Sequence, residues 1–272
     1  MSRSPAVRPT PLLAVLLLPI ALAAPGCRRP AEPADRLVVF AAASLRDGFT
    51  ALGEPFRRAH PGVEVRFNFA GTQELRTQVE HGAALDVFAS ADPRHLRALA
   101  EAGLVEPPVV FARNELVLAV AHDAAATVRS LADLPQAGRV VIGAAEVPVG
   151  RYTLEVLDRA GAVWGADFRA RVEAKVVSRE LNVRQVLTKV SLGEADVGLV
   201  YRSDVASAPP AVVVVALPPE VNVVAEYPIA IATHAPRPAL ARSWVDLVQS
   251  VEGQAALTRA GFLAAPQAVV SP

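Results

Sequence analysis

Val39-Phe40-Ala41-Ala42-Ala43-Ser44-Leu45 is the stretch on which the fold turns. It closes a continuous apolar run, Leu37 to Ala41, of the kind a parallel strand buried on both faces requires. Three small alanines then lead straight into a helix start at Ser44, with Asp47 at capping-box spacing. A helix that begins directly at the end of a strand leaves its first N–H groups unpaired, at the positive end of its dipole. Three further stretches share this build: Phe69-Ala70-Gly71-Thr72-Gln73-Glu74-Leu75, Val147-Pro148-Val149-Gly150-Arg151-Tyr152 and Leu181-Asn182-Val183-Arg184-Gln185. Four such ends directed at one point would make a dry site for a small oxyanion without a lysine or arginine.

Working outward, strands and helices alternate. A helix from Ser44 to about His60 ends at Pro61-Gly62, a strand spans Val63 to Phe69, and Thr72 opens a helix ending near His81-Gly82. Asp86 to Ser90 is a short strand, and Asp92 opens a helix that ends at Gly103. This βαβαβα order is that of a doubly wound sheet. A second set begins with a strand at Glu115 to Val120 and continues with Val140 to Gly143, a helix at Val149 to Ala160 and a short helix near Trp164 and Phe168. A strand near Lys175 to Val177, a helix at Asn182 to Leu192, and a strand from Asp196 that ends exposed at Tyr201 follow. Strands at Ala211 to Ala216 and Tyr227 to Thr233 precede helices at Pro238 to Ser250 and Gly253 to Ala260, which suit packing back onto the first set. The expected fold is therefore α/β with two lobes, residues 36–113 plus 227–272 and residues 114–226, joined near Asn114 and Glu226. Ligands of open α/β sheets sit at strand carboxyl ends, which places the site in the cleft between lobes.

Residues 1–26 are set apart. Arg3 and Arg8 precede a short apolar run, Leu12 to Ala24, which reads as a secretion signal rather than a membrane span. Ala24-Pro25-Gly26-Cys27 resembles a bacterial lipoprotein cleavage box, so residues 27–35 are expected to be a lipidated Cys27 and a Pro- and Ala-rich tether. The alternative is an ordinary signal with an incidental cysteine. Cys27 is the single cysteine, which rules out an intrachain disulfide. No other apolar segment approaches spanning length.

Charge is balanced, with 27 basic and 27 acidic residues, no basic run and few aromatics, so nucleic acid is not an expected partner. His60, His81, His95, His122 and His234 are scattered without ligand-like pairing, which argues against a direct metal site. Tyr152, Tyr201 and Tyr227 are far apart in sequence, unlike a tyrosine cluster for ferric ion. The chain lacks a G-x-S-x-G elbow, a P-loop and a G-x-G-x-x-G after a strand, and Ser44 has no assignable base, so a hydrolase using Ser44 is the weaker alternative.

Each candidate has a plainer reading beside the functional one. Ser44 and Thr72 are either simple helix caps or anion donors. Val149 and Val183 offer backbone N–H groups, beside Pro148 and Gly150 in one case and the capping Asn182 in the other. Tyr201 is either a boundary residue with its ring in the core or a further hydroxyl donor. Arg151 and Arg184 flank the amide donors and are expected to be solvated.

The order V-F-A-A-A-S-L, the block A-G-T-Q-E-L-R-T-Q-V-E-H-G-A-A-L-D-V-F-A-S-A-D, then V-P-V-G-R-Y, N-V-R-Q-V-L and G-L-V-Y-R-S-D-V resembles the molybdate-binding proteins of ABC importers. The resemblance runs from about Leu37 to Leu263. It implies a type II periplasmic-binding-protein fold and a receptor, not an enzyme, with no cofactor. It further implies a monomer at the periplasm or cell surface that captures molybdate or tungstate for an inner-membrane permease; the tether to a membrane through Cys27 follows from the cleavage-box reading. By position the anion falls to the hydroxyls of Ser44 and Thr72, the amides of Val149 and Val183 and the hydroxyl of Tyr201, with no direct ligand to the metal atom. Thr72 stands where the family usually has serine, and Val149 where it often has alanine; the added methyl of Thr72 would tighten or shift the pocket. A sulfate-type receptor remains the alternative ligand reading, because a donor-only site is common to both anions.

Overall fold

The computed structural model describes residues 35–206 and 210–265. The expected signal segment, Cys27 and the tether up to Ala34 lie outside them, as does the chain beyond residue 265. The elements in chain order are β1 (Asp35–Ala42), α1 (Arg46–Ala59), β2 (Val63–Ala70), α2 (Thr72–Glu80), β3 (Val87–Ala89), α3 (Pro93–Glu101), β4 (Val109–Ala121), β5 (Val140–Gly143), α4 (Pro148–Trp164) and α5 (Phe168–Glu173). They continue with β6 (Val176–Glu180), α6 (Val183–Ser191), β7 (Val197–Tyr201), α7 (Arg202–Val205), β8 (Val212–Ala216), β9 (Val224–Ile231), α8 (Pro238–Gln249), α9 (Val251–Arg259) and β10 (Leu263–Ala264).

The strands join in the order β2-β1-β3-β9-β4-β7-β5-β6. β1 runs parallel to β2 and β3, and β5 runs parallel to β6 and β7. β4 is the shared strand. Its first part pairs antiparallel with β9, from Val109↔Ile229 to Glu115↔Val224, and its remainder with β7, from Leu116↔Tyr201 to Val120↔Val197. The sheet thus has two halves that meet at Glu115 and Leu116. The expected strand at Glu115 to Val120 covers only the second part. The first part carries Arg113, Asn114 and Glu115, which interrupt the apolar run, and its partners β9 and β10 lie more than a hundred residues away. The strand expected to end exposed at Tyr201 in fact buries that residue, at 1% exposure.

The late helices pack on the first half of the sheet. Trp244 of α8 is fully buried and meets Phe49, Phe56 and Phe67 with ring centroids 5.5, 5.3 and 5.5 Å away. Emptying that slot by Trp244→Ala would cost about 3–5 kcal/mol.

Candidate functional site

Strand register brings the first two junctions together. Ala42 of β1 lies opposite Ala70 of β2, so Ser44 and Thr72, each two residues further on, emerge side by side. In the other half Gly143 of β5 lies opposite Glu180 of β6, and α4 and α6 start a few residues beyond. The first turn of α4 sits hard against the end of β5: a Cβ on Gly150 would lie 1.9 Å from the Ala144 oxygen and 2.5 Å from that of Gly143. Only glycine permits that approach. Asn182 caps α6 by accepting from Gln185 N at 3.1 Å, which leaves the N–H of Val183 in the unpaired first turn. Val149, the second residue of α4, is placed likewise.

These junctions enclose one cavity. Ser44, Thr72, Val149, Val183 and Tyr201 all line it, with Ala42, Ala70, Gly71, Pro148 and Asn182 among their neighbours. Among the described residues no charged side chain takes part in the lining. The cavity has a volume of about 20 Å³. That suffices for a water-sized or similarly compact guest and falls far short of the ~300–1,000 Å³ of organic-ligand pockets.

The polar groups are buried and oriented. Ser44 is 2% and Thr72 1% exposed. Ser44 is not the helix cap its spacing with Asp47 suggests: it lies in a 3-10 turn before α1, makes no capping bond, and its Oγ is 2.9 Å from the hydroxyl of Tyr227. Thr72 Oγ1 accepts from Ala91 N at 3.3 Å, which leaves its own proton free for the cavity. The Tyr201 hydroxyl is buried without a hydrogen-bond partner among the described residues. Burial holds its pKa well above the ordinary phenol value, so it stays a neutral donor at physiological pH.

The flanking arginines are not solvated as expected; distant carboxylates claim them. Arg151 Nε is 2.8 Å from Asp92 Oδ2, and its guanidinium lies 3.9 Å from the centre of the Tyr152 ring. Burial alone would raise the Asp92 pKa, but bonds from Arg94 and the charge of Arg151 outweigh it and hold the carboxyl below its usual range. Arg184 pairs with Asp47 of α1 at 2.9 Å and lies 2.9 Å from Asp204 Oδ1, an ion pair without the alignment of a hydrogen bond. Asp204 is buried, and desolvation lifts its pKa to about 7 despite Arg184 and a bond from Tyr201 N at 3.1 Å. Arg151–Asp92, Arg184–Asp47 and the bond from Gln73 Nε2 to Leu181 O, at 2.8 Å, all link one half of the fold to the other around the cavity.

Sequence reasoning missed Tyr227, whose hydroxyl lies 2.9 Å from Ser44 Oγ. It sits within β9, which reaches the first junction through its antiparallel pairing with β3, the neighbour of β1. Among the described residues no group of three or more His, Cys, Asp or Glu is placed to hold a metal ion. No described helix is long and apolar enough to cross a membrane.

A two-halved α/β body with a small neutral cavity at its strand ends is the build of a solute receptor. Residues 37–263 match the family model described as bacterial extracellular solute-binding protein, and the chain belongs to that family. Its members bind solutes, so the chain is a solute-binding protein and not an enzyme; the hydrolase reading of Ser44 is set aside. The molybdate-binding protein ModA of Mycobacterium tuberculosis is 42% identical over 235 residues, 86% of each chain. Among solved structures, the periplasmic molybdate-binding protein of Azotobacter vinelandii superposes with a TM-score of 0.74 at 21% identity, over 85% of this chain and all of that one. The sulfate-binding protein SubI of M. tuberculosis H37Rv superposes with a TM-score of 0.77 at 18% identity, over 86% and 88% of the two chains. These likenesses fix the fold as that of the type II periplasmic binding proteins.

Proposed function

We propose that the cavity holds a tetrahedral, fully deprotonated oxyanion, molybdate or tungstate, and that the protein delivers it to the permease of an ABC importer. The hydroxyls of Ser44, Thr72 and Tyr201 and the amides of Val149 and Val183 are its ligands. The observation that carries the reading is a buried Tyr201 hydroxyl without a partner, on the wall of a cavity lined by neutral groups. The 42% identity to a protein named for molybdate binding supports the choice of anion.

The energetics are consistent. A dianion in a dry cavity is expelled unless its charge is answered. Helix dipoles and several converging donors answer it without a counter-ion. Each bond to a charged partner contributes roughly 1.5–3 kcal/mol. Micromolar affinity requires only about 8 kcal/mol net, so several such bonds leave room for the cost of ordering and closure. A ring of donors sized for the longer bonds of molybdate leaves sulfate under-contacted, and a site without acceptors disfavours an anion that carries a proton.

In this reading residues 36–113 with 227–272 and residues 114–226 are lobes that close on the anion about the β4 and β9 crossings. A monomer tethered through a lipidated Cys27, at the periplasm or cell surface, would present the closed form to the permease. Isothermal titration with molybdate, tungstate and sulfate in separate runs tests the ligand. One-to-one binding of the first two and none of sulfate is expected. Equal binding of sulfate would make this a sulfate-type receptor, and silence with all three from folded protein would overturn the function.

A further inference from the structure

Behind Ser44 lies a hydrogen bond that the ligand set does not include. The Tyr227 hydroxyl is 2.9 Å from Ser44 Oγ, its one hydrogen-bond partner among the described residues. Tyr227 is fully buried and Ser44 nearly so, and a buried O–H needs an acceptor.

The direction of the Ser44 proton decides what Ser44 can do. If Ser44 donated to Tyr227, it would turn lone pairs toward the cavity and repel an anion. The buried Tyr227 proton needs an acceptor, and Ser44 Oγ is the one in reach among the described residues, so Tyr227 donates and Ser44 keeps its own proton for the cavity.

We propose that Tyr227 is a positioning residue for the anion site: it donates to Ser44 Oγ and so directs the Ser44 proton into the cavity. The proposal rests on the oxyanion reading of the cavity. It assigns Tyr227 no contact with the ligand; its effect passes through Ser44.

A double-mutant cycle tests this, with molybdate titrated into the parent protein, Tyr227→Phe, Ser44→Ala and the double variant. Tyr227→Phe is expected to weaken binding by about two- to tenfold when Ser44 is present, and to change nothing in the Ser44→Ala background. A residue that matters only for packing would cost the same factor in both backgrounds, and that result overturns the proposal, as does full affinity in Tyr227→Phe. Proton NMR of the parent gives a readout that needs no variant. The Tyr227 hydroxyl proton should be protected from exchange and show an Overhauser contact to the Ser44 Cβ protons; a protected hydroxyl proton without that contact would refute the role. A folded parent that binds no molybdate would instead strike the oxyanion reading itself, and the role of Tyr227 with it.

Discussion

Tyr201→Phe should act in opposite directions on ligand-free stability and on anion binding. The side chain is 1% exposed and its hydroxyl has no partner among the described residues, while its ring packs edge-on against Tyr152 and Tyr227 at 6.5 and 5.8 Å. Phenylalanine keeps the ring contacts and removes only the oxygen. A buried polar group left unpaired costs about 1–3 kcal/mol. The 20 Å³ cavity can admit one water to serve the hydroxyl, which puts the expected gain at the low end, about 1 kcal/mol. For a domain of this size that is a rise in melting temperature of roughly 2–4 °C. With the anion bound, the same change deletes one charge-assisted bond of about 1.5–3 kcal/mol, a loss of roughly 10- to 150-fold in affinity. Thermal unfolding without ligand and isothermal titration with molybdate measure the two effects. A variant less stable than the parent when ligand-free would show that the hydroxyl has a structural partner. Unchanged affinity would remove Tyr201 from the site.

Three further outcomes are expected. Ser44→Ala should weaken molybdate binding about tenfold, the worth of one such bond, whereas Thr72→Ser, which keeps the hydroxyl, should bind in titration within a few-fold of the parent; abolished binding there would contradict the assigned role. In Gly71→Ala the new Cβ would stand 2.4 Å from the backbone oxygen of Leu181 in the other half of the fold; it should wedge the halves apart and weaken binding tenfold or more, about 1.4 kcal/mol, while small-angle scattering reports a folded but more open molecule. Asp204 gives a pH dependence: its folded pKa of about 7 exceeds the unfolded value near 4, so its contribution is full below about pH 4 and is lost as pH rises to about 7. The ligand-free melting temperature should therefore fall between about pH 4 and pH 7, and Asp204→Asn should flatten that fall; an equal slope in the variant would assign the titration elsewhere.

The junctions were legible because they are local. A strand that runs through small residues into a capped helix is written in a handful of adjacent positions, and β1 to α1, β2 to α2, the start of α4 and the start of α6 could each be read alone. Convergence of the four onto one cavity depends on the Ala42↔Ala70 and Gly143↔Glu180 registers, which the α/β order implies but does not spell out. What stayed hidden is non-local. Arg151 and Arg184 look like surface residues until Asp92, Asp47 and Asp204 arrive from other elements. Ser44 has capping spacing, yet its hydroxyl is taken by Tyr227, 183 residues on. The first part of β4, broken by Arg113-Asn114-Glu115, does not read as strand until β9 and β10 are set beside it.

Because β4 belongs to both halves of the sheet, the halves cannot be completed in the order in which they are encoded. The second half lies wholly between β4 and β9 in the chain, so it can be laid down on the end of β4 once β8 has been synthesised. The first half begins earlier and finishes later. The far edge of β3 stays open until β9 arrives, and the Phe49 and Phe67 rings lack their central partner until Trp244 is made. A nascent chain therefore carries an unpaired, fully apolar edge at Val87-Phe88-Ala89 until β9 is made, the kind of edge that recruits strands from other chains. A chain cut short before Val224 would retain Ser44, Thr72, Val149, Val183 and Tyr201, yet would lack the strand that closes the sheet around them.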